Sequence, residues 1–224
     1  MESISGVGVL DKAVGVLRAL RTHGPLSLAE LQGATALPRA TAHRLAVALE
    51  EHGLVRRDAA GRFCLGFELI ALGRVAAESY PLGEMARPAL VALRDATSES
   101  VQLFVREGDE RRCVVSLQSP HGLRWIVPEG ARLPLGIGSA GRILVIPSFG
   151  MAAAPVSWVE SVEEREPGVA SVSAPVLGQG GSVIAAVSIS GPIERLSRMP
   201  GQRFGPAVID AAMAVSHALG DFQG

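Results

Sequence analysis

Along the first fifty residues the apolar positions recur every three or four. Leu10, Ala13, Val14, Leu17 and Leu20 make one stripe, and His23-Gly24-Pro25 ends it, which predicts an amphipathic helix. Leu26-Ser27-Leu28-Ala29-Glu30-Leu31 follows. Ser27 and Glu30 have capping-box spacing: the Ser oxygen can accept from the N3 amide while Glu reaches back to the N-cap amide. Leu26 and Leu31 stand where a hydrophobic staple would close over that cap. A short second helix is therefore expected over about 27–33. Leu37-Pro38 predicts the start of a third, with Pro38 in its first turn, where a missing N–H costs nothing. Ala42, Leu45, Ala46 and Leu49 form its buried stripe, Gly53 stops it, and Arg39, Thr41, His43 and Arg44 point away from the stripe.

The period then shortens to two. Leu54-Val55-Arg56-Arg57 and Arg62-Phe63-Cys64-Leu65 flank Asp58-Ala59-Ala60-Gly61, and Asp first with Gly fourth is a tight-turn pattern, so a β-hairpin is expected. Three short helices and a hairpin describe a winged helix-turn-helix. In such a fold the third helix meets base edges and phosphates near its N-terminal end. The hairpin arginines Arg56, Arg57 and Arg62 carry guanidinium forks suited to phosphate. A small packing module with solvated arginines would show the same helices. Against that reading, five arginines of residues 39–62 fall on the two elements that would touch DNA.

Beyond the hairpin, Phe67, Ile70, Ala71 and Arg74 lie on a helical stretch that Tyr80-Pro81 breaks, and Leu82, Met85, Ala86, Leu90 and Leu93 form another amphipathic helix. Strands are expected at 101–106 and 112–117 around the turn Glu107-Gly108-Asp109-Glu110, at 123–127, and at 169–177 and 182–190 around Gly178-Gln179-Gly180-Gly181. A last helix over 204–219 closes the chain, with Val208, Ala212, Val215 and Leu219 on one side. An antiparallel sheet with flanking helices is an α+β arrangement. Glu160, Glu163, Glu164 and Glu166 read as a solvated helix face, with the alternative that one of them reaches a ligand.

Composition narrows the function. The chain is 48% hydrophobic and 19% charged over 224 residues, enough to bury two cores. No apolar run reaches the roughly 18–20 residues that span a bilayer. The N-terminus lacks the basic and apolar regions of a signal peptide, so a cytoplasmic, non-membrane location is expected. The net charge of −1 excludes DNA affinity from bulk charge and leaves it to a local basic face. All the basic residues but Lys12 are arginine. Cys64 and Cys113 are far apart and lack zinc-ligand spacing, so neither a disulfide framework nor a metal site is expected.

Four stretches together resemble the IclR family of bacterial transcription regulators: Leu26-Ser27-Leu28-Ala29-Glu30-Leu31; Leu37-Pro38-Arg39-Ala40-Thr41-Ala42-His43-Arg44-Leu45; Leu49-Glu50-Glu51-His52-Gly53-Leu54-Val55; and Gly61-Arg62-Phe63-Cys64-Leu65-Gly66. Farther on, Gly130-Ala131-Arg132-Leu133-Pro134-Leu135, Ser173-Ala174-Pro175-Val176 and Ser188-Ile189-Ser190-Gly191-Pro192 match family motifs, so the likeness covers about residues 5–220. It implies a DNA-binding domain at 1–66, a linker helix at 67–80 and a GAF-like effector-binding and oligomerisation domain at 81–224. The implied partners are a double-stranded DNA operator, a small-molecule effector and a second copy of the chain, as a homodimer or a dimer of dimers. The implied DNA-facing set is Ser27, Arg39, Ala40, Thr41, His43, Arg44, Arg56, Arg57 and Arg62. The motif around Arg39 and the Glu164-Arg165-Glu166-Pro167-Gly168-Val169-Ala170-Ser171 stretch look most like an actinobacterial subgroup associated with branched-chain amino-acid biosynthesis. Two departures stand near the implied pocket: Gly136 replaces a usual His, and the segment before Pro167 is abbreviated.

Gly136-Ile137-Gly138-Ser139-Ala140-Gly141 is a literal G-x-G-x-x-G. A dinucleotide site needs a βαβ unit around it, and the surrounding strands read as antiparallel. A metabolic enzyme using 136–141 for a nucleotide is the alternative function. A plain turn before a tight helix start, or a cradle of helix amides for a carboxylate, are the other readings. No catalytic constellation and no cofactor are expected: His121 and His217 lack evident partners. Ser188 and Ser190 alternate with Val187 and Ile189, so the two serines share a face, either a polar outer sheet face or a pocket. The family resemblance implies the pocket, with Gly138, Ser139, Ala140 and Ser171 beside them.

Overall fold

The computed structural model describes residues 7–78, 82–146 and 158–222 and divides the chain into two compact units, Met1–Tyr80 and Pro81–Gly224. The expected Tyr80-Pro81 break falls outside the described residues.

The first unit holds α1 (Gly8–His23), α2 (Leu28–Thr35), α3 (Arg39–Glu51), the hairpin strands β1 (Val55–Arg57) and β2 (Phe63–Leu65), and α4 (Glu68–Glu78). The Ser27 capping box forms as its spacing predicts: the Ser27 oxygen accepts from Glu30 N, and Ser27 N donates to Glu30 Oε2 at 2.8 Å. Pro38 differs by one position from its expected place. It is the N-cap of α3, with extended ψ, and Arg39 is the first helical residue. Val16, Leu20, Leu31, Ala42, Leu45, Leu49, Val55 and Phe63 fuse the helices and the hairpin into one core. Leu26 and Phe63 exchange backbone hydrogen bonds, so the residues that start α2 also fix the hairpin. Asp58 accepts from Ala60 N and Arg62 N and sets the tight turn. Gly66 must be glycine: a Cβ there would collide with the Gly53 carbonyl.

The second unit begins with α5 (Leu82–Thr97), followed by β3 (Ser100–Glu107), β4 (Glu110–Leu117), β5 (Arg132–Pro134), α6 (Gly138–Leu144), β6 (Val159–Val162), β7 (Val169–Leu177), β8 (Val183–Pro192), α7 (Ile193–Leu196) and α8 (Pro200–Phe222). The strands make one sheet in the order β5-β4-β3-β8-β7-β6, every pair antiparallel. Period-two alternation gives the sheet two faces. Val101, Leu103, Val172, Ala174, Val187 and Ile189 pack with α5 and α8 in the larger core. Phe104, Cys113 and Ala186 face the other way and meet Val127, Ala140 and Ile143 in a smaller one.

Three expectations need correction. The 123–127 stretch is not a strand; it runs as a loop whose Trp125 and Val127 pack into the smaller core, and the place beside β4 belongs to β5. The four glutamates do not share a helix: Glu160 lies on β6, and Glu163, Glu164 and Glu166 follow in a turn. The last helix starts at Pro200 rather than 204, with a proline in its first turn where the missing N–H costs nothing, and its Gly201 and Gly205 leave room for the Trp158 indole.

Candidate functional site

Two surfaces gather the residues that the sequence singles out. On the first unit, the stripe of α3 turns Ala42, Leu45, Ala46 and Leu49 inward, so Arg39, Ala40, His43 and Arg44 are exposed and Thr41 is half-buried. Arg39 and Arg44 have no ion-pair or hydrogen-bond partner among the described residues, which leaves both charges open to an outside anion. Ser27 is half-buried and its hydroxyl is engaged with Glu30 N at 3.3 Å, so it serves the cap of α2 first.

The hairpin arginines differ from those of α3. All three are exposed, yet each already has a neighbour. Arg57 donates to Glu50 Oε2 at 3.3 Å and lies over the Phe63 ring, 4.2 Å from its centre. Arg62 pairs with Asp58 at 2.8 Å, and Arg56 lies 4.9 Å over the Phe67 ring. The backbone amide and side chain of Arg62 hold the Asp58 carboxyl below its ordinary range.

On the second unit, the alternation of β7 and β8 puts Ser171, Ser173, Ser188 and Ser190 on the face away from α5 and α8. The register pairs Ser171 with Ser190 and Ser173 with Ser188. This face is not open to solvent. Ser188 and Ser190 are 3% and 6% exposed, so the outer-face reading falls and the serines line a cavity. Ser139 at the start of α6 sits 2.7 Å from both Ser171 and Ser173, Ser173 donates to Ser188 at 2.9 Å, and Ser190 donates to Gln102 Oε1 at 2.9 Å. The structure therefore brings Gly138, Ser139, Ala140, Ser171, Ser188 and Ser190 together around one cavity. Its free volume is only about 30 Å³, room for a water or two.

The cavity also holds residues that the sequence reading missed: Gln102, Arg111, Trp125 and Arg165. Arg111 is 2% exposed and lies 5.4 Å over the Phe104 ring. Its Nη1 donates to the carbonyls of Pro134 at 2.5 Å and Ile137 at 2.6 Å. Burial, helped by the nearby Arg165 charge, lowers its pKa to about 10, so it stays a cation at neutral pH. Burial pushes the Cys113 thiol on the same strand up to about 12, which keeps it an inert neutral thiol.

The glycine-rich segment has a local explanation for each glycine. Gly136 and Gly138 have φ of 77° and 73°, a conformation that favours glycine. A Cβ on Gly141 would collide with Nη1 of Arg111. The expected amide cradle is already taken, because Gly138 N donates to Glu164 Oε2 at 3.0 Å and Glu164 also pairs with Arg142 at 3.1 Å. Gly141→Ala should cost about 1–3 kcal/mol by overpacking, read from urea unfolding. Unchanged stability would mean that Arg111 swings aside without strain.

Among the described residues no helix is long and apolar enough to cross a membrane, and no group of His, Cys, Asp and Glu is placed to hold a metal ion. The model of the IclR helix-turn-helix domain matches residues 9–59, and that of the bacterial transcriptional regulator IclR C-terminal domain matches 75–149 and 156–217. The HTH-type transcriptional regulator KipR of Bacillus subtilis is 26% identical, with 93% of this chain and 96% of that protein covered. The transcriptional repressor IclR of Escherichia coli is 25% identical, covering 89% of this chain and 85% of the repressor. A Rhodococcus putative transcriptional regulator of known structure superposes with a TM-score of 0.76 at 25% identity, over 96% of this chain and 99% of that one. An IclR homologue from Microbacterium hydrocarbonoxydans, solved in complex with 4-hydroxybenzoate, has the same fold: TM-score 0.77, 20% identity, 94% and 98% covered.

Proposed function

The chain belongs to the IclR family of bacterial transcriptional regulators, and we propose that α3 and the hairpin dock on an operator while the serine-lined cavity takes the effector. The family joins a helix-turn-helix DNA-binding domain to a C-terminal effector-binding domain, and its members regulate transcription rather than catalyse a reaction. The enzyme alternative gives way to that assignment, and segment 136–141 lies between antiparallel strands rather than in a βαβ unit.

The observation that carries the DNA reading is the pair of open cations on α3. Arg39 and Arg44 stand at the end of a recognition helix where base edges and phosphates are met, with Ala40, Thr41 and His43 between them. Ser27 at the cap of α2 and Arg56, Arg57 and Arg62 on the wing complete the contact set. The protein binds a near-palindromic operator as a homodimer or as a dimer of dimers, in the cytoplasm. The effector is a small organic acid or an amino-acid-like metabolite. The Arg39–Leu45 and Glu164–Ser171 sequences support placing the chain in the actinobacterial subgroup associated with branched-chain amino-acid biosynthesis.

Arg44→Ala tests the interface. If Arg44 reads a guanine, the variant should lose about 1–3 kcal/mol of operator affinity and relax one base position. If it holds a phosphate, the loss should be uniform across operator variants. Unchanged affinity in a gel-shift titration would remove Arg44 from the interface.

A further inference from the structure

We propose that the tip of the turn between β6 and β7, residues 164–167, is the wall of the cavity that opens, lifting Arg165 off the Trp125 ring while the Trp125 loop stays in place. That the opening admits the effector rests on the reading of the cavity given above; the movement itself does not.

The free volume demands a moving wall. About 30 Å³ is room for a water or two, so a larger molecule enters only where a wall gives way. Gln102, Ser171, Ser188 and Ser190 stand on strands inside the sheet, whose other face is the larger core. All of α6 but Arg142 is buried. Two walls remain: the Trp125 loop between β4 and β5, and the turn that carries Arg165.

The loop is pinned at both ends. Arg195 clasps the Glu99 carboxylate at 2.7 and 2.8 Å and gives its third nitrogen to the Leu123 carbonyl at 2.9 Å. Glu99 is 2% exposed, so Arg195 leaves it only by stranding a buried charge. That makes Arg195 a fixed post for the near end of the loop. At the far end Val127 is buried in the smaller core, and Gly130 N donates to the Cys113 carbonyl at 2.7 Å.

The turn is held by weaker ties. Its base is closed by Glu163 N donating to the Val169 carbonyl at 2.8 Å and Ile193 N donating to the Gly168 carbonyl at 2.9 Å. Both ends of the turn have left-handed backbone, Glu163 at φ 55° and Gly168 at φ 75°, and Glu163 pays strain there as a non-glycine pivot. Between these pivots the tip is tied to its surroundings by Glu164 and Arg165. Glu164 accepts from Gly138 N at 3.0 Å and pairs with Arg142 at 3.1 Å, both side chains more than a third exposed. Arg165 lies over the Trp125 ring, 5.2 Å from its centre. Exposed ion pairs and cation–π contacts are individually weak. Arg142 also donates to the Glu160 carbonyl, so it keeps a partner when Glu164 leaves. The tip therefore yields before the loop does, and a ligand that prefers the open form shifts the equilibrium between them.

The experiment is acrylamide quenching of Trp125 fluorescence in the full-length protein carrying Trp158→Phe. If melting shows that this background does not fold, the difference between wild type and Trp125→Phe isolates the same signal. Glu164→Gln should raise the quenching constant by about 2- to 5-fold, the worth of an exposed pair. Raising NaCl from about 50 to 500 mM should raise it in the Glu164 protein, because exposed pairs are screened, and leave Glu164→Gln nearly unchanged. Quenching unaffected by both Glu164→Gln and salt would overturn the proposal, as would a salt response that persists undiminished in Glu164→Gln. Quenching raised by Arg195→Lys but not by Glu164→Gln would overturn it too, and would put the movement on the Trp125 loop. An opening turn in a protein whose effector response survives Ser190→Phe would leave the movement standing and sink the effector reading instead.

Discussion

Raising the salt concentration from about 50 to 200 mM is expected to weaken operator binding by about 10³–10⁵, the response of a protein that holds roughly 6–10 phosphates. The net charge is −1, so the cations that release counterions must be local ones. Arg39 and Arg44 on α3 are exposed and unpaired among the described residues, and each phosphate contact made by such a side chain contributes about one unit of slope. The wing should contribute less per residue. Arg57 must leave or share Glu50, and Arg62 must leave or share Asp58, before either meets a phosphate. Surface pairs of this kind are worth little, so the exchange is feasible, but the carboxylate left behind offsets part of the gain. Arg57→Ala and Arg62→Ala should each lower the slope by less than about one unit. Fluorescence anisotropy titrations at several salt concentrations read these slopes. A flat response would mean that the hairpin and α3 do not touch the backbone and that bulk charge was the better guide.

The first unit was largely legible because its signals are local. A capping box, a proline at a helix start and an Asp-to-Gly turn each act within four residues, and the pattern of the buried stripe left only one face of α3 for the arginines. The second unit was legible where alternation ran undisturbed, as on β8, where Ser188 and Ser190 oppose Val187 and Ile189. Arg111 was not legible, and the reason is a β-bulge. In β4 the odd residues Arg111, Cys113, Val115 and Leu117 are all buried, and simple alternation would put them on one face. The register instead pairs Val115 with Leu103 and Cys113 with Phe104, so Val114 is the extra residue. A bulge reverses the facing of everything beyond it. Val115 and Leu117 stay in the larger core, while Arg111 turns to the cavity and Cys113 to the smaller core. An arginine in phase with buried apolar residues was the available signal. The 123–127 loop misled for a related reason: Trp125 and Val127 point inward as strand residues would, but their backbone joins no ladder.

Ser190→Phe is expected to abolish the effector response while leaving effector-free operator binding in place. Ser190 is 6% exposed on the cavity face of β8, opposite Ser171 and bonded to Gln102. A phenyl ring there takes up the small free volume and displaces the hydroxyl network that Ser139, Ser171, Ser173 and Ser188 share. The residues proposed to meet the operator lie in the other compact unit, so their own core is untouched. A ligand moves a conformational equilibrium only through its differential affinity for the two states, so a protein that cannot take the ligand cannot switch. Overpacking costs typically about 1–3 kcal/mol, and a melting curve of the variant shows whether the unit stays folded. Ser190→Ala serves as the milder companion: it removes one hydrogen bond, worth about 0.5–1.5 kcal/mol, and should weaken the response without removing it. Calorimetry with candidate acids, paired with operator binding with and without them, reads both variants. A Ser190→Phe protein that still binds the effector with wild-type affinity would place the pocket elsewhere and leave the buried serines as structure only.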